Sequence, residues 1–242
     1  MLKLLDHGWQ LQPNAVTVQA EIERALQLLT GEPVNTTGAG RTDTGVHAGR
    51  YIAHFDSDHI LPSDPNDFLY KMNAILPGDI AIHDIFAVKS DAHARYSALS
   101  RTYKYRINPI KDPFHTEFSW YYSFPLDVAA MNDAANRLKK FSDFTSFSKL
   151  HSDVKNYTCR IFDAKWTEEG SVLVFTIRAN RFLRNMVRAI VGTMVDIGRG
   201  KIHPLDLESI IEGKNRGLAG VSVPAHGLVL VEIEYPEGIR LV

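Results

Sequence analysis

The stretch TTGAGRTDTGVHAGR, Thr36 to Arg50, differs in composition from everything around it. Gly38, Gly40 and Gly45 surround Arg41, Thr42 and Asp43, so the backbone is free to turn sharply and to let a ligand approach closely. The stretch lacks the Gly-Lys-Ser/Thr ending of a P-loop, and its glycines do not have the spacing of the dinucleotide fingerprint. What it offers is one carboxylate beside a guanidinium in a tight loop. The Arg41 cation favours ionised Asp43 and burial opposes it; an ionised, desolvated carboxylate serves as nucleophile or base. Two other readings stand beside this one. Asp43 could cap a turn by accepting from nearby backbone N–H groups. Asp-Thr-Gly is also an aspartic-protease half-site, but that chemistry needs two carboxylates sharing a proton. No second Asp-Thr-Gly or Asp-Ser-Gly occurs in the chain, so a homodimer would have to supply it.

Outward from the loop, the spacing predicts a helix from Thr17, its N-cap, to Gly31, with Val18, Ile22, Leu26 and Leu29 on the buried face. A strand is expected around Tyr51–Asp56, a helix between Asp64 and Leu76 stopped by Pro77-Gly78, and a strand over Ile80–Val88. RTYKYRI alternates, with Tyr103, Tyr105 and Ile107 on one face and Thr102, Lys104 and Arg106 on the other, which reads as a half-exposed strand. Pro109 and Pro113 follow. A boundary is therefore expected between about Asn108 and Phe124, giving halves 1–108 and 109–242. In the second half Asp127 caps a helix with Val128, Met131, Ala135 and Leu138 inward, and strands Cys159–Trp166 and Val172–Ala179 flank a turn. A long helix is expected from Phe182 to Ile197, a short one near Pro204 and a closing strand over Leu228–Tyr235. The fold class is α+β: two similar halves with mixed, mainly antiparallel sheets.

Composition excludes several classes. With 45% apolar, 23% charged and 10% aromatic residues, the 242-residue chain is neither disordered nor low-complexity. A net charge of −1 excludes a histone-like protein. The single cysteine, Cys159, forms no intramolecular disulfide, supplies no multi-Cys zinc site and suits a reducing compartment. The ten histidines show no metal-binding spacing. Neither a signal peptide nor a membrane-spanning run is legible, so a soluble, cytoplasmic protein is expected. Charge is nonetheless uneven. Lys89–Arg106 holds five basic residues and one acid, and Ser171–Val195 four arginines and no acid. Basic segments interleaved with aromatics suit a phosphate backbone and unstacked bases; they suit solvated faces as well.

GRTDTGVHA, Gly40–Ala48, resembles the defining motif of the TruA-type tRNA pseudouridine synthases. The resemblance runs in order through HGWQLQPNAVTVQAEIERAL (7–26), LPGDIAI (76–82), DAHARYSALSRTYKYRI (91–107), DFTSF (143–147), RFLRNMVRAIVG (181–192) and GLVLVEIEY (227–235), nearly the whole chain. It implies two α+β halves around a basic cleft, a homodimer, and no metal or organic cofactor. The implied activity is isomerisation of uridine to pseudouridine at positions 38, 39 and 40 of the tRNA anticodon arm.

The resemblance also assigns residues. Asp43 matches the catalytic aspartate, which either adds to C1′ of the ribose or assists loss of the 2′ proton. Arg41 matches the arginine that holds the RNA backbone or fills the space left by a flipped base; a simple ion pair with Asp43 is the plainer reading. Tyr103 matches an active-site tyrosine that stacks on the base, although Tyr105 shares its face and one of the two could be core. At 100° per residue, Leu183, Met186, Val187, Ile190 and Met194 line the buried face of the long helix, and Arg181, Arg184 and Arg188 follow a neighbouring stripe. Arg188 is expected to pair with Asp43, with Arg181 and Arg184 nearer RNA. Arg101 and Lys104 are expected RNA contacts, and Leu228 packs against the base or is ordinary core. His47 reads as structural. Family members usually place a strand and a Tyr-Asp-Gly turn before HGWQ; here only Met1–Asp6 precede His7, so a mostly missing first strand and a stability below that of an extended form are expected. A non-catalytic RNA-binding protein and a dimeric aspartic hydrolase are the competing functions.

Overall fold

The computed structural model describes residues 7–57, 65–149 and 156–241. The expected short first strand at Met1–Asp6 and the Asp64 start of the second helix lie outside the described residues. The chain is a mixed α+β protein of two compact units, one running to Leu99 and resuming at Glu232, the other spanning Ser100–Val231.

The first unit is built on two helices. Helix α1 (Val18–Thr30) starts where Thr17 accepts a hydrogen bond from the Ala20 N–H and ends at Gly31, whose left-handed backbone (φ 80°) closes it. Strands β1 (Thr37–Gly38) and β3 (Ala53–His54) pair antiparallel, and β2 (His47–Ala48) lies in the chain between them. The expected strand over Tyr51–Asp56 is thus only two residues long. Helix α2 (Pro65–Ile75) packs against α1. Trp9, Val18, Leu26, Phe68, Met72 and Ile80 form the core between these elements.

The strand expected over Ile80–Val88 does not form; Val88 alone makes a bridge, to Arg240. The reason is where its polar backbone groups go. Ile80 N–H turns back to Pro77 C=O, and the Asn73 amide takes both the N–H and the C=O of Ile82 at 2.8 Å. The apolar residues still serve the core, with Ile82 and Ile85 packed on it, but the Ile80 N–H and both Ile82 backbone groups are already occupied.

The second unit is a sheet with helices packed on it. Strand β4 (Ser100–Asn108) runs antiparallel to β7 (Val172–Ala179), which runs antiparallel to β6 (Ile161–Glu169). Strand β8 (Leu228–Glu234) flanks β4 on its other side, and the short β5 (Trp120–Tyr121) pairs parallel with the end of β4. By this pairing β4 lies in the second unit. Tyr105 and Ile107 are buried as the alternation requires, and Lys104 and Arg106 half-buried; Thr102 is buried too. Helix α3 (Val128–Arg137), capped by Asp127, packs on β6 and on α4 (Met186–Gly198); α5 (Asp206–Glu212) follows.

Helix α4 begins four residues later than the apolar periodicity indicates. Asn185 sits in the left-handed region (φ 67°) and breaks the helix before Met186. Arg181 and Arg184 are therefore in the loop before the helix, and the stripe expected to carry them beside Arg188 does not exist. Among the described residues, no helix is long and apolar enough to cross a membrane.

Candidate active site

In the first unit the glycine-rich loop is held from behind by Gly8, Trp9 and Tyr51. The Trp9 and Tyr51 rings stack at 4.3 Å. Gly38 lies flat against this pair, so close that a Cβ there would fall 2.5 Å from the indole ring. The Tyr51 hydroxyl donates to Gly40 C=O and accepts from Gly40 N–H, and Ala39 N–H donates to Ile52 C=O. At the loop's entry, Glu23 of α1 accepts from Thr36 N–H (2.7 Å) and its hydroxyl (3.0 Å), while Gln19 donates to Thr36 C=O (2.9 Å). At its exit, Asp43 C=O accepts from Val46 N–H (3.1 Å) around Gly45, whose φ of 79° suits glycine.

Asp43 is placed by one further contact. A Cβ on Gly8 (φ 89°) would stand 2.5 Å from the Thr42 carbonyl oxygen and 3.4 Å from the Asp43 carbonyl carbon. Gly8 is in turn fixed by α1: Val18 N–H donates to Gly8 C=O and Gln19 N–H to Trp9 C=O, which satisfies donors left open at the helix start. The loop thus presents Asp43 half-buried and Arg41 exposed, with His47 buried beyond the turn. The side chain of His54 in β3 accepts from Ala94 N–H (3.1 Å) and is held below the usual histidine pKa, chiefly by burial and then by His93, which suits a neutral acceptor.

In the second unit Tyr103 and Tyr105 separate cleanly. Tyr105 is fully buried and donates to Pro224 C=O (2.8 Å). Burial drives its phenol far above the ordinary pKa, against the opposing effect of the Arg188 cation, so it is a neutral donor rather than a proton shuttle. Tyr103 is half-buried and meets Phe182 edge to face at 5.2 Å. Arg188, half-buried on α4, donates from Nε to Val223 C=O (2.8 Å) and accepts at its own C=O from Val223 N–H (3.3 Å).

Segment 219–227 is therefore a strap that sets Arg188. It lies directly on α4, where a Cβ on Gly192 would stand 1.8 Å from Val221 C=O, and Thr193 Oγ1 accepts from Gly220 N–H (2.8 Å). From the sheet side Tyr105 holds it at Pro224 and packs against Gly227, the residue before buried Leu228. The remaining expected RNA contacts are dispersed. Arg101 donates to Asn180 C=O (2.9 Å); Lys104 pairs with Glu169 (2.7 Å); Arg181 is half-buried and Arg184 exposed. Cys159 is buried, and that burial pushes its thiol up to about 11, which leaves it no nucleophile at neutral pH. Among the described residues no three His, Cys, Asp or Glu side chains come together to hold a metal ion.

Sequence reading did not single out Gly8, Trp9, Tyr51, Phe182, Gly192 or the strap. HGWQ carries the resemblance, but nothing in the string reveals that Gly8 lies on the Thr42–Asp43 peptide.

The chain is thus an α+β protein whose glycine-rich loop carries a half-buried carboxylate beside an exposed arginine. The profile of a family described as tRNA pseudouridine synthase matches residues 134–236. The chain is 53% identical to tRNA pseudouridine synthase A of Parabacteroides distasonis, over 95% of this chain and 91% of that one. It is 49% identical to the protein of the same name from Bacteroides fragilis (96% and 92% covered) and 43% to that from Caldicellulosiruptor bescii (94% and 93%). The chain belongs to the tRNA pseudouridine synthase A family, isomerases that act on uridine in tRNA.

Proposed function

We propose that this chain isomerises uridine to pseudouridine at positions 38, 39 and 40 of the tRNA anticodon arm, with Asp43 as the reacting carboxylate. The supporting observation is the loop: a half-buried aspartate on a turn, backed by the Gly8 backbone and the Trp9–Tyr51 stack, next to an exposed arginine. The reaction leaves the atoms unchanged. The C1′–N1 bond breaks, the uracil rotates, a C1′–C5 bond forms, the C5 proton leaves and N1 gains one. A carboxylate serves either as nucleophile at C1′ or as base for the 2′ proton. The uridine has to leave its stack; Arg41 is suited to the backbone or the vacated space. Tyr103, backed by Phe182, offers the base an aromatic face. Arg188 supplies a cation for the carboxylate, Leu228 an apolar wall, and Arg101, Lys104, Arg181 and Arg184 cationic contacts to the RNA. A homodimer, a cytoplasmic location and catalysis without metal or organic cofactor belong to the same reading.

The test is tritium release from tRNA labelled at C5 of uridine, which reports loss of the C5 hydrogen. Release from a tRNA with uridine only at positions 38–40 of its anticodon arm, and none when those uridines are cytidines, is expected. Equal release from both would place the reaction elsewhere in the tRNA.

A further inference from the structure

The second unit contains a cavity of about 180 Å³ whose wall includes Thr145, Lys149, Tyr157, Lys214 and Arg216. Three of these are cations. Lys214 is paired with Asp143 (2.8 Å), and that carboxylate is also tied to the Thr145 N–H and hydroxyl. Arg216 is half-buried, and its partners are all neutral: the Ala219 and Gly220 carbonyls and the Ser222 hydroxyl. Among the described residues no carboxylate pairs with Arg216 or Lys149. A half-buried guanidinium without a counter-charge is a costly arrangement that an incoming anion relieves.

The cavity is connected to residues already placed near the chemistry. Lys149 N–H donates to Arg184 C=O (3.1 Å), which sets the exposed Arg184 beside the cavity's rim. Ser222, which accepts from Arg216, also accepts from the amide of Asn185 (2.5 Å) at the head of α4. Its neighbour Val223 holds Arg188. The cations and hydroxyls of the wall, and this connection, suit a phosphodiester.

We propose that this cavity holds a backbone phosphate of the RNA substrate, a contact separate from the reacting uridine. The proposal rests on the function proposed above and adds to it a second point at which the RNA is gripped. A phosphate neutralised here contributes to affinity and to its salt dependence, but not to the chemical step.

The test compares wild type, Lys149→Gln and Lys139→Gln, the last an exposed lysine outside the cavity wall. The Kd for unmodified tRNA is measured by filter binding from about 50 to 200 mM salt, with kcat from tritium release. Lys149→Gln is expected to weaken binding about 3- to 10-fold at the lowest salt and to flatten the log–log slope by about one, with kcat within about twofold of wild type. Lys139→Gln keeps the wild-type slope. An unchanged slope in Lys149→Gln, an equal loss in Lys139→Gln, or a fall in kcat without a change in Kd overturns the proposal. Inorganic phosphate at matched ionic strength tests the other source: a rise in wild-type Tm absent from Lys149→Gln, together with an unchanged RNA slope, would make this a free-anion site and overturn it. The Kd slopes are read whether or not the wild type turns over, so failure of the isomerase reading is seen separately, as absent tritium release.

Discussion

Replacing Gly8 by alanine adds one methyl group at the point where the chain touches the back of the Asp43 loop. That Cβ would lie 2.5 Å from the Thr42 carbonyl oxygen, whereas ordinary contact begins near 3.4 Å. The difference, 0.9 Å, must be taken up by backbone, because both sides are main chain. Gly8 has little room to retreat, since α1 holds it through the Val18 and Gln19 N–H groups. Its φ of 89° adds strain for any L side chain, worth about 1–2 kcal/mol. The Thr42–Asp43 peptide is therefore expected to move by nearly 1 Å, and a displacement of that size at a reacting group costs on the order of 100-fold, about 2.7 kcal/mol, in rate. Tritium release should show kcat of Gly8→Ala down by about that factor with tRNA Kd within twofold, and Tm should fall by several degrees. A folded Gly8→Ala protein with wild-type kcat would refute the claim that this contact sets the carboxylate.

Three further outcomes follow from the second unit. Gly192→Ala forces the strap off α4, because its Cβ would meet Val221 C=O at 1.8 Å; a stability loss of about 1–3 kcal/mol in urea titration and a kcat loss through Arg188 are expected, and unchanged values would show that the strap does not depend on this contact. Tyr105→Phe leaves the Pro224 carbonyl without its donor and should cost about 1–3 kcal/mol; an unaltered midpoint would contradict this. The Lys104–Glu169 pair holds the Glu169 carboxyl below its ordinary value near 4.5, mainly through the Lys104 hydrogen bond. Because the folded pKa is depressed, the stabilisation is present above about pH 4.5 and fades as pH falls through the folded value. With side chains 31% and 47% exposed, it amounts to no more than about 1 kcal/mol. Lys104→Met should therefore shift Tm slightly at pH 7 and by progressively less as the pH is lowered into the acid range; a shift that stays constant however far the pH is lowered would have another cause.

What the string made legible was what short-range chemistry decides. The ends of α1 were readable because Thr17 and Gly31 act on their own helix within a turn. Strand β4 was readable because alternation and burial agree at Tyr105 and Ile107. The start of α4 was not, since apolar spacing continues through Leu183 while a single left-handed Asn185 interrupts the helix. Ile80–Val88 has the composition of a strand, but Asn73, nine residues before Ile82, takes both backbone groups of Ile82. For the candidate site, the glycines marked the Asp43 loop. The surfaces that hold it, Gly8 and the Trp9–Tyr51 stack, come from 27 or more residues before Thr36 and from just beyond Arg50, and only folding brings them together. The separation of a core Tyr105 from a half-buried Tyr103 likewise needed Pro224, 119 residues on.

The central claim is that the Asp43 carboxylate performs the chemistry. Its most direct test is tritium release from C5-labelled tRNA by Asp43→Asn, a change that keeps size and removes charge, alongside tRNA binding and thermal melting. The account predicts a folded variant that binds tRNA within severalfold of wild type and releases no tritium above background. Release at a rate within tenfold of wild type would contradict it.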